Sequence, residues 1–183
     1  MTNHLIVNFF GGPGAGKTVA AAALFMSLKK NHVDAHLVGE FATECVMEGN
    51  VDSLHDQLYI FGNTYHRLQS VYKQAVVTVI DSPILLSCIY QEGLPTIFNQ
   101  LVLEMHERFR NLNVLLERHD GYNHSMVGRV HSLSESVGID KQIEHMLEQY
   151  EVPFVKESAI DGNLTEYLTQ QIMEYLNGTE VTE

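Results

Sequence analysis

A glycine-rich stretch near the beginning of the chain, residues 11–18, limits the architectures open to it. The stretch has the sequence GGPGAGKT, which fits the pattern G-x-x-x-x-G-K-[ST], and it separates an apolar run at 4–10 from a helical pattern at 16–30. In that context the glycines let successive main-chain N–H groups converge on an anion, and the first turn of the helix adds partial positive charge. The stretch therefore predicts a P-loop, a phosphate-binding turn between a first strand and a first helix.

Individual residues of this loop have distinct expected roles. Lys17 is expected to reach the β- and γ-phosphate oxygens of ATP, and the hydroxyl of Thr18 to be a ligand of Mg²⁺. The predicted nucleotide-binding set is Gly12, Pro13, Gly14, Ala15, Gly16, Lys17, Thr18 and Val19. An ordinary glycine turn is the alternative, and the strand and helix patterns on either side disfavour it. The loop thus predicts ATP and Mg²⁺ as cofactors.

Short apolar runs and helical periodicities alternate along the rest of the chain. Strands are predicted at 4–10, 35–39, 75–80, 113–116 and 152–155, and helices at 16–30, 41–47, 54–72, 96–110, 133–150 and 164–176. Such alternation is typical of parallel strands with crossover helices on both faces. The expected fold class is α/β, a P-loop NTPase fold with a sheet of about five parallel strands. The most β-branched run, at 75–80, is the expected central strand.

Length and composition favour one globular unit. The 183 residues are 45% hydrophobic and 19% charged, which is typical of a packed domain and not of a disordered or coiled-coil chain. We expect a single domain at 1–178 with a short lid at about 118–134, followed by a frayed tail at 179–183. The net charge of −12 gives no argument from bulk charge for nucleic-acid binding.

The sequence also bears on the compartment of the protein. Its two cysteines, Cys45 and Cys88, are too few for a disulfide framework, and no apolar run is long enough to cross a membrane. The N-terminal residues lack the features of a signal peptide. We therefore expect a cytoplasmic protein without a membrane partner.

Two carboxylates follow predicted strands at the edge of the sheet where ligands of α/β proteins bind. Asp81 ends the strand at 75–80 and is predicted to hold Mg²⁺ directly or through water. A helix N-cap role is the alternative for Asp81, and the two roles are compatible. Glu40 ends the strand at 35–39 and is the predicted general base for an acceptor hydroxyl. A solvated loop glutamate is the alternative for Glu40.

A polar stretch at 118–134 lacks an apolar period and is the predicted lid. Its Arg118 and Arg129 are expected to neutralise charge on a phosphoryl group during transfer, because forked guanidinium groups suit phosphate oxygens. The alternative for both residues is that they are ordinary arginines on a solvated loop. Arg67, in the helix at 54–72, is left open between an acceptor phosphate and an ion pair with a neighbouring acid.

The helical pattern at 54–72 carries an inward stripe and one aromatic residue outside it. The stripe consists of Leu58, Phe61, Tyr65, Leu68 and Tyr72. Core packing is the favoured interpretation of its aromatic members. Tyr59 lies off the stripe and is left open between a surface position and stacking on a base.

At these motifs the chain resembles a group of small P-loop kinases common in tailed bacteriophages. The shared motifs are the run at 9–18, Glu40-Phe41-Ala42, Asp56-Gln57-Leu58-Tyr59 and the run at 81–87, followed by Arg118, Tyr122, Gly128-Arg129 and Asp140. The chain departs from the family's pattern at 130–135, where the family usually carries Gln and Glu after Gly-Arg. It also departs at Gly39, where the family tends to have Thr or Ser.

The resemblance implies phosphoryl transfer from ATP, in the host cytoplasm if the chain is phage-encoded. Members are described as nucleoside or nucleotide kinases, and some phosphorylate 5-hydroxymethyl-deoxyuridine in phage DNA. The expected reaction is transfer of the γ-phosphate to a hydroxyl of a pyrimidine deoxynucleotide, with 5-hydroxymethyluracil in DNA as the leading acceptor. If DNA is the substrate, Lys73, Arg108 and Arg110 are the basic residues expected to contact its phosphates.

Two other functions stay open at this point. One is a free nucleoside or deoxynucleoside monophosphate kinase, for which an acidic protein surface is more favourable. The other is a P-loop NTPase switch, whose hydrolysis of ATP changes the conformation of a partner and leaves no phosphorylated product. A homodimer is left open as a further partnership.

Overall fold

The computed structural model describes residues 4–72, 74–118, 132–158 and 163–178. Its strands are β1 Leu5–Phe10, β2 Ala35–Val38, β3 Val77–Ile80, β4 Asn111–Glu117 and β5 Val155–Ser158. Its helices are α1 Lys17–Lys30, α2 Phe41–Met47, α3 Gln57–Tyr72, α4 Ser87–Tyr90, α5 Thr96–Glu107, α6 Leu133–Gln149 and α7 Leu164–Leu176, with short 3-10 turns at Val51–His55 and Ile84–Leu86. The strands of these residues all run parallel, in the order β2-β3-β1-β4-β5. The predicted α/β fold with a five-stranded parallel sheet is therefore confirmed.

Helices cover both faces of the sheet, as predicted. Successive side chains of a strand point to opposite faces. From β1, Val7 and Phe9 belong to a core shared with α1 and α7, whereas Ile6 and Phe10 belong to a second core shared with α3, α5 and α6. All four of these side chains are fully buried. Burial on both sides explains the nearly continuous apolar sequence of β1.

The run that the sequence predicts as the central strand is not central. β1 lies in the middle of the sheet, between β3 and β4, and β3 is one of its neighbours. The prediction is wrong because a high content of β-branched residues indicates only that a strand is buried on both faces. A strand next to the central one is buried on both faces as well. Every residue of β3 is buried.

β5 begins three residues later than the strand predicted at 152–155. Pro153 has no N–H to donate to a sheet ladder, and its carbonyl accepts a hydrogen bond from Nδ2 of Asn113 at 2.9 Å. A side chain therefore holds this part of the chain, and regular pairing with β4 starts only at Val155.

The inward face of α3 also differs from the predicted stripe. Leu58 is 54% exposed, whereas Gln57 is buried, as are Phe61 and Leu68 further along the helix. Because α3 begins at Gln57, that residue and not its neighbour takes the inward position of the first turn. A polar residue therefore opens the buried face of this helix.

The ends of the strands bring the predicted site residues to one edge of the sheet. β2 and β3 lie on one side of β1, and β4 and β5 lie on the other side. The connection from β3 to β4 therefore passes from one side of β1 to the other. The P-loop follows β1, Asp81 follows β3 and Arg118 follows β4. In open α/β sheets, ligands bind at this carboxyl edge where the strand order reverses.

Several predictions fall outside the described residues. They are most of the predicted lid, residues 119–131 with Arg129 among them, together with Lys73 and the predicted tail at 179–183. Among the helices that are described, none is both long enough and apolar enough to cross a bilayer.

Candidate phosphate-binding site and adjoining cleft

The P-loop leaves the first turn of α1 open to an anion. Gly16 is the N-cap residue of this helix and has a φ of 95°, a left-handed conformation that a side chain would strain. The N-cap makes no side-chain hydrogen bond, and α1, which is described in full, has no acidic residue in its first turn. The N–H groups of this turn and the positive end of the helix dipole are therefore available to phosphate oxygens.

Lys17 lies buried against the loop from which it extends. Its side chain is 8% exposed, and Nζ donates to the carbonyl of Gly11 at 2.9 Å and to that of Gly12 at 3.2 Å. These carbonyls are neutral acceptors, which bind an ammonium less strongly than charged phosphate oxygens do. The ammonium is thus held at the loop in a position from which phosphate can attract it.

Asp81 is buried at the end of β3, next to the P-loop. Its residue exposure is 4%, and the carboxylate oxygen Oδ1 has no hydrogen-bond partner among the described residues. Burial raises the pKa of Asp81, and the nearby charge of Glu40 adds to that rise. The hydroxyl of Thr18 and the ammonium of Lys17 lower the pKa again. Asp81 therefore lies within electrostatic reach of the loop and of the end of β2.

The pair of Thr18 and Asp81 fits the requirements of Mg²⁺. This ion prefers oxygen ligands, and the pair offers a hydroxyl beside a buried carboxylate oxygen that has no partner in the described chain. The alternative N-cap role of Asp81 finds no support. The 3-10 turn that follows begins at Ile84, and its cap residue is Pro83, with no side-chain hydrogen bond.

Glu40 lies where the P-loop edge meets a cleft. It is the N-cap residue of α2, and its Oε2 accepts a hydrogen bond from Oγ1 of Thr43 at 2.6 Å. Its charge raises the pKa of Asp81 on one side and contributes, after burial, to the raised pKa of Tyr90 on the other. A carboxylate in this position can accept a proton from a molecule bound in the cleft.

Arg118 and Asp140 tie the P-loop to α6. Arg118 donates from Nε to Oδ2 of Asp140 at 2.9 Å and from Nη2 to the carbonyl of Pro13 at 3.0 Å. Oδ1 of Asp140 accepts from the N–H of Gly12 at 2.6 Å. A Cβ on Gly12 would lie 2.7 Å from this same Oδ1, which explains why the loop needs glycine there. The ion pair is mostly buried, with side-chain exposures of 12% and 21%.

These contacts bear on the predicted role of Arg118. The guanidinium is engaged with the loop and with α6, and only its Nη1 is buried without a partner among the described residues. Arg118 therefore supports the shape of the P-loop from behind. Its contact with a phosphoryl group in transfer stays a prediction.

A cavity of about 720 Å³ includes the P-loop and extends away from it as a cleft. Its walls are formed by α2, by the first two turns of α3 and by residues 82–90. Away from the P-loop, its apolar lining consists of Ala42, Val46, Met47, Val51, Leu54, Ile60, Pro83 and Leu86. Cavities of this size bind small organic molecules in many proteins. The cleft is therefore a candidate site for a second ligand next to the phosphates.

Arg67 does not enter this cleft. Its guanidinium forms a bidentate ion pair with Glu44 of α2, with both N–O distances at 2.5 Å, and lies 4.6 Å from the ring centroid of Phe41. Of the two interpretations left open for Arg67, the structure shows the ion pair with a neighbouring acid. Tyr59 packs edge-on against Phe41 at 5.4 Å and remains 44% exposed.

Arg108 and Arg110 lie far from the site. They come just before β4 and therefore at the amino edge of the sheet, opposite the edge that carries the P-loop. Arg110 donates to the hydroxyl of Tyr175 on α7 and lies over its ring. This position separates the two arginines from the P-loop edge, and their contact with the phosphates of DNA stays a prediction.

Sequence reasoning missed several residues of the site. Asp140 appeared only as part of a shared motif, and Gln57, Thr64 and Ser87 of the cleft were not considered as lining residues. The available signal was the spacing of Gln57 and Thr64, which places them on one face of a helix. The assumption that the inward stripe of α3 is apolar concealed that signal.

Comparisons with known proteins agree with this architecture. A family model described as AAA domain matches residues 6–164. No curated protein matches the chain. Among solved structures, the chain is similar to a NadR protein in complex with NR, with a TM-score of 0.70 and 16% sequence identity. The match covers 99% of this chain and 54% of the NadR chain, so this chain spans about half the length of that protein, and the similarity concerns the fold.

Proposed function

Because the chain belongs to the family of AAA domains, we propose that it binds ATP with Mg²⁺ and transfers the γ-phosphoryl group to a hydroxyl of a nucleoside-type acceptor. One observation carries this proposal. The cavity that contains the P-loop continues beyond it between α2, α3 and residues 82–90, and the buried, unpartnered carboxylate of Asp81 lies just before the lining residue Ser82. A hydrolase needs room for water alone beside the phosphates, whereas a kinase needs such a cleft.

We call the P-loop together with Asp81, Arg118 and Asp140 the donor half of the site. On binding of a triphosphate, Lys17 would exchange its carbonyl partners for phosphate oxygens. Thr18 and Asp81 would hold Mg²⁺, which supplies neutralising charge for the phosphates. The donor half thus provides binding and charge stabilisation, which supply most of the catalysis in phosphoryl transfer.

We call the cleft, with Glu40 at its inner end, the acceptor half. Asp81 is buried next to Thr18 and suits the metal, and of the carboxylates that line the cleft Glu40 is the one whose charge acts on Asp81. Glu40 would orient the acceptor hydroxyl and take its proton. The hydrogen bond from Thr43 holds the Glu40 carboxylate in place, so that the second oxygen is left for the acceptor.

The charges of the cleft favour a free nucleoside as the acceptor. Among the described residues that line it, Lys17 is the sole lysine or arginine, and three carboxylates accompany it, those of Glu40, Glu92 and Glu135. An acceptor phosphate would meet repulsion there and find no guanidinium partner in the described chain. The resemblance to phage kinases instead favours 5-hydroxymethyluracil in DNA, so the acceptor must be tested directly.

The test is transfer of labelled γ-phosphate from ATP to a panel of acceptors. The panel contains free deoxynucleosides, deoxynucleoside monophosphates and DNA that carries 5-hydroxymethyluracil. We expect a phosphorylated product from at least one free deoxynucleoside. Product from DNA alone, with a rate that falls steeply as the salt concentration rises, would instead support the DNA-modifying function. No labelled product from any member of the panel would contradict the proposal.

A further inference from the structure

Three polar side chains in the acceptor half are buried and line the cleft. They are Gln57, Thr64 and Ser87, with residue exposures of 6%, 5% and 5%. Buried polar side chains in native proteins nearly always have hydrogen-bond partners. Within the described chain, neither hydroxyl makes a side-chain hydrogen bond, and the amide of Gln57 makes one. Because all three side chains line the cleft, a ligand bound there could take up their remaining hydrogen-bonding capacity.

The orientation of the Gln57 amide follows from its one contact. Nε2 donates to the carbonyl of Leu54 at 2.8 Å, and a carbonyl can accept only from the amino end of an amide. Oε1 therefore points away from Leu54, and it has no partner among the described residues. The second N–H of Nε2 is likewise unused. Gln57, a lining residue of the cleft, thus carries one acceptor and one donor side by side on a planar group, and no described residue engages either of them.

Polar and apolar side chains alternate along the face of α3 that lines the cleft. Gln57 and Thr64 are two helical turns apart, about 10.5 Å along the axis, and lie on the same side of the helix. Ile60 lies between them, is buried and lines the cleft as well. Apolar side chains of α2, among them Val46 and Met47, line the cleft as well. A flat ligand with apolar faces and hydrogen-bonding edges fits such a surface.

We infer that Gln57 selects the base of the acceptor, with Thr64 and Ser87 as additional partners for its polar edges or its sugar. A primary amide offers a donor beside an acceptor, which complements the adjacent donor and acceptor groups on the edge of a nucleobase. The inference rests on the proposed function and extends it to a named specificity-determining residue. It assigns the polar part of the acceptor half to a neutral ligand, in agreement with the scarcity of cations among the described lining residues.

The experiment compares Gln57→Met with the unmodified chain on four probes: thymidine, deoxycytidine, deoxyadenosine and deoxyguanosine. Methionine keeps the length of the side chain and removes its hydrogen bonds. We expect the KM of the best probe to rise about tenfold to hundredfold, with the KM of ATP unchanged within about twofold. Gln69→Met is the matched control, because Gln69 lies on the same helix and bonds to Tyr65 outside the cleft. It should leave both KM values unchanged.

A second variant separates recognition from a structural role. Gln57→Glu keeps the shape of the side chain and replaces the donor by a charged acceptor, so it should change the order of preference among the four probes. A uniform loss on all four probes, with a lowered melting temperature, would overturn the inference and assign Gln57 to the packing of the Leu54 turn. Unchanged KM values in Gln57→Met would overturn it as well.

The same measurements distinguish this inference from the proposed function. If the unmodified chain phosphorylates a nucleoside and Gln57→Met does so equally well, the inference fails and the proposed function stands. If the unmodified chain phosphorylates none of the four probes and none of them raises its melting temperature, the inference fails; the proposed function fails as well only if the whole acceptor panel gives no labelled product.

Discussion

The donor and acceptor halves of the site are built in different ways. In the donor half, hydrogen bonds within the chain hold the loop. Lys17 donates to a loop carbonyl, Arg118 donates to the carbonyl of Pro13, and Asp140 accepts from the N–H of Gly12. In the acceptor half, the short helix α2 carries Met47, which is 76% exposed. Mostly buried contacts therefore hold the phosphate site, whereas a partly exposed ion pair between Arg67 and Glu44 holds α2 against α3. Changes in the donor half should therefore impair every acceptor, and changes in the acceptor half should be selective.

The largest effect is expected for Lys17→Ala. The variant loses the one ammonium of the P-loop, so we expect a decrease in transfer of about a thousandfold or more, with weaker ATP binding. Steady-state transfer and ATP titration measure the two quantities. Lys29→Ala on the same helix is the control, because Lys29 is half exposed and pairs with Asp34 far from the loop. Equal activity of Lys17→Ala and Lys29→Ala would contradict the role of the loop.

The next largest effect concerns Asp81→Asn, which should lower transfer and raise stability at once. Loss of the metal-binding carboxylate should reduce the rate about a hundredfold. Because burial raises the pKa of Asp81, its charge is unfavourable in the ligand-free fold, and the neutral amide should raise the melting temperature. Asp34→Asn at an exposed site is the control. A melting temperature that falls in Asp81→Asn would refute the electrostatic part of this account.

The same pKa shift predicts a pH dependence for the ligand-free protein. Between the ordinary pKa of an aspartate and the raised pKa of Asp81, the folded chain binds more protons than the unfolded chain at this residue. The free energy of unfolding of the unmodified chain, relative to Asp81→Asn, should therefore decrease as the pH rises through this interval and stay level above it. Chemical unfolding of both proteins at a series of pH values measures this difference. A relative stability that increases with pH would reverse the sign and contradict the prediction.

A smaller effect is expected for Asp140→Asn in the donor half. The amide still accepts from Gly12 but no longer pairs by charge with the mostly buried Arg118. We expect the KM of ATP to rise about tenfold, as for the loss of a charge-assisted hydrogen bond, with the relative rates on different acceptors unchanged. Lys156→Met breaks an ion pair with Glu144 on the same helix without touching the loop, and serves as the control. Altered acceptor preference in Asp140→Asn would break the division between the two halves.

The smallest effect is expected for Glu44→Gln in the acceptor half. This change removes the ion pair that joins α2 to α3 through Arg67, where the two side chains are 49% and 33% exposed. Exposed pairs contribute about 0.2–1 kcal/mol, so the melting temperature should change little. The KM of the acceptor should rise about twofold to threefold, while that of ATP stays constant. Glu48→Gln, on an exposed residue just after α2, is the matched control, and a change in the KM of ATP would argue against separate halves.

The donor half was more accessible to sequence reasoning than the acceptor half, for physical reasons. A phosphate loop needs glycines, a lysine and a strand–helix junction in a fixed local order, so residues 11–18 are recognisable without a structure. Asp81 was found because a buried strand precedes it. Gln57 was not found, because its importance depends on where α3 begins and on which wall it faces. The order of the strands depends on crossover connections that leave no local pattern. The position of Arg110 at the amino edge, by contrast, follows from its place just before β4.

The central claim is that the phosphoryl group passes directly from ATP to an acceptor bound in the cleft. The most direct measurement is to count ADP and phosphorylated nucleoside in the same reaction of the unmodified chain, using the acceptor that the panel identifies. This account predicts equal amounts of the two products, and no excess of free phosphate over a reaction without protein. ADP formed together with free phosphate, and without phosphorylated nucleoside, would contradict it and identify the chain as a nucleoside triphosphate hydrolase.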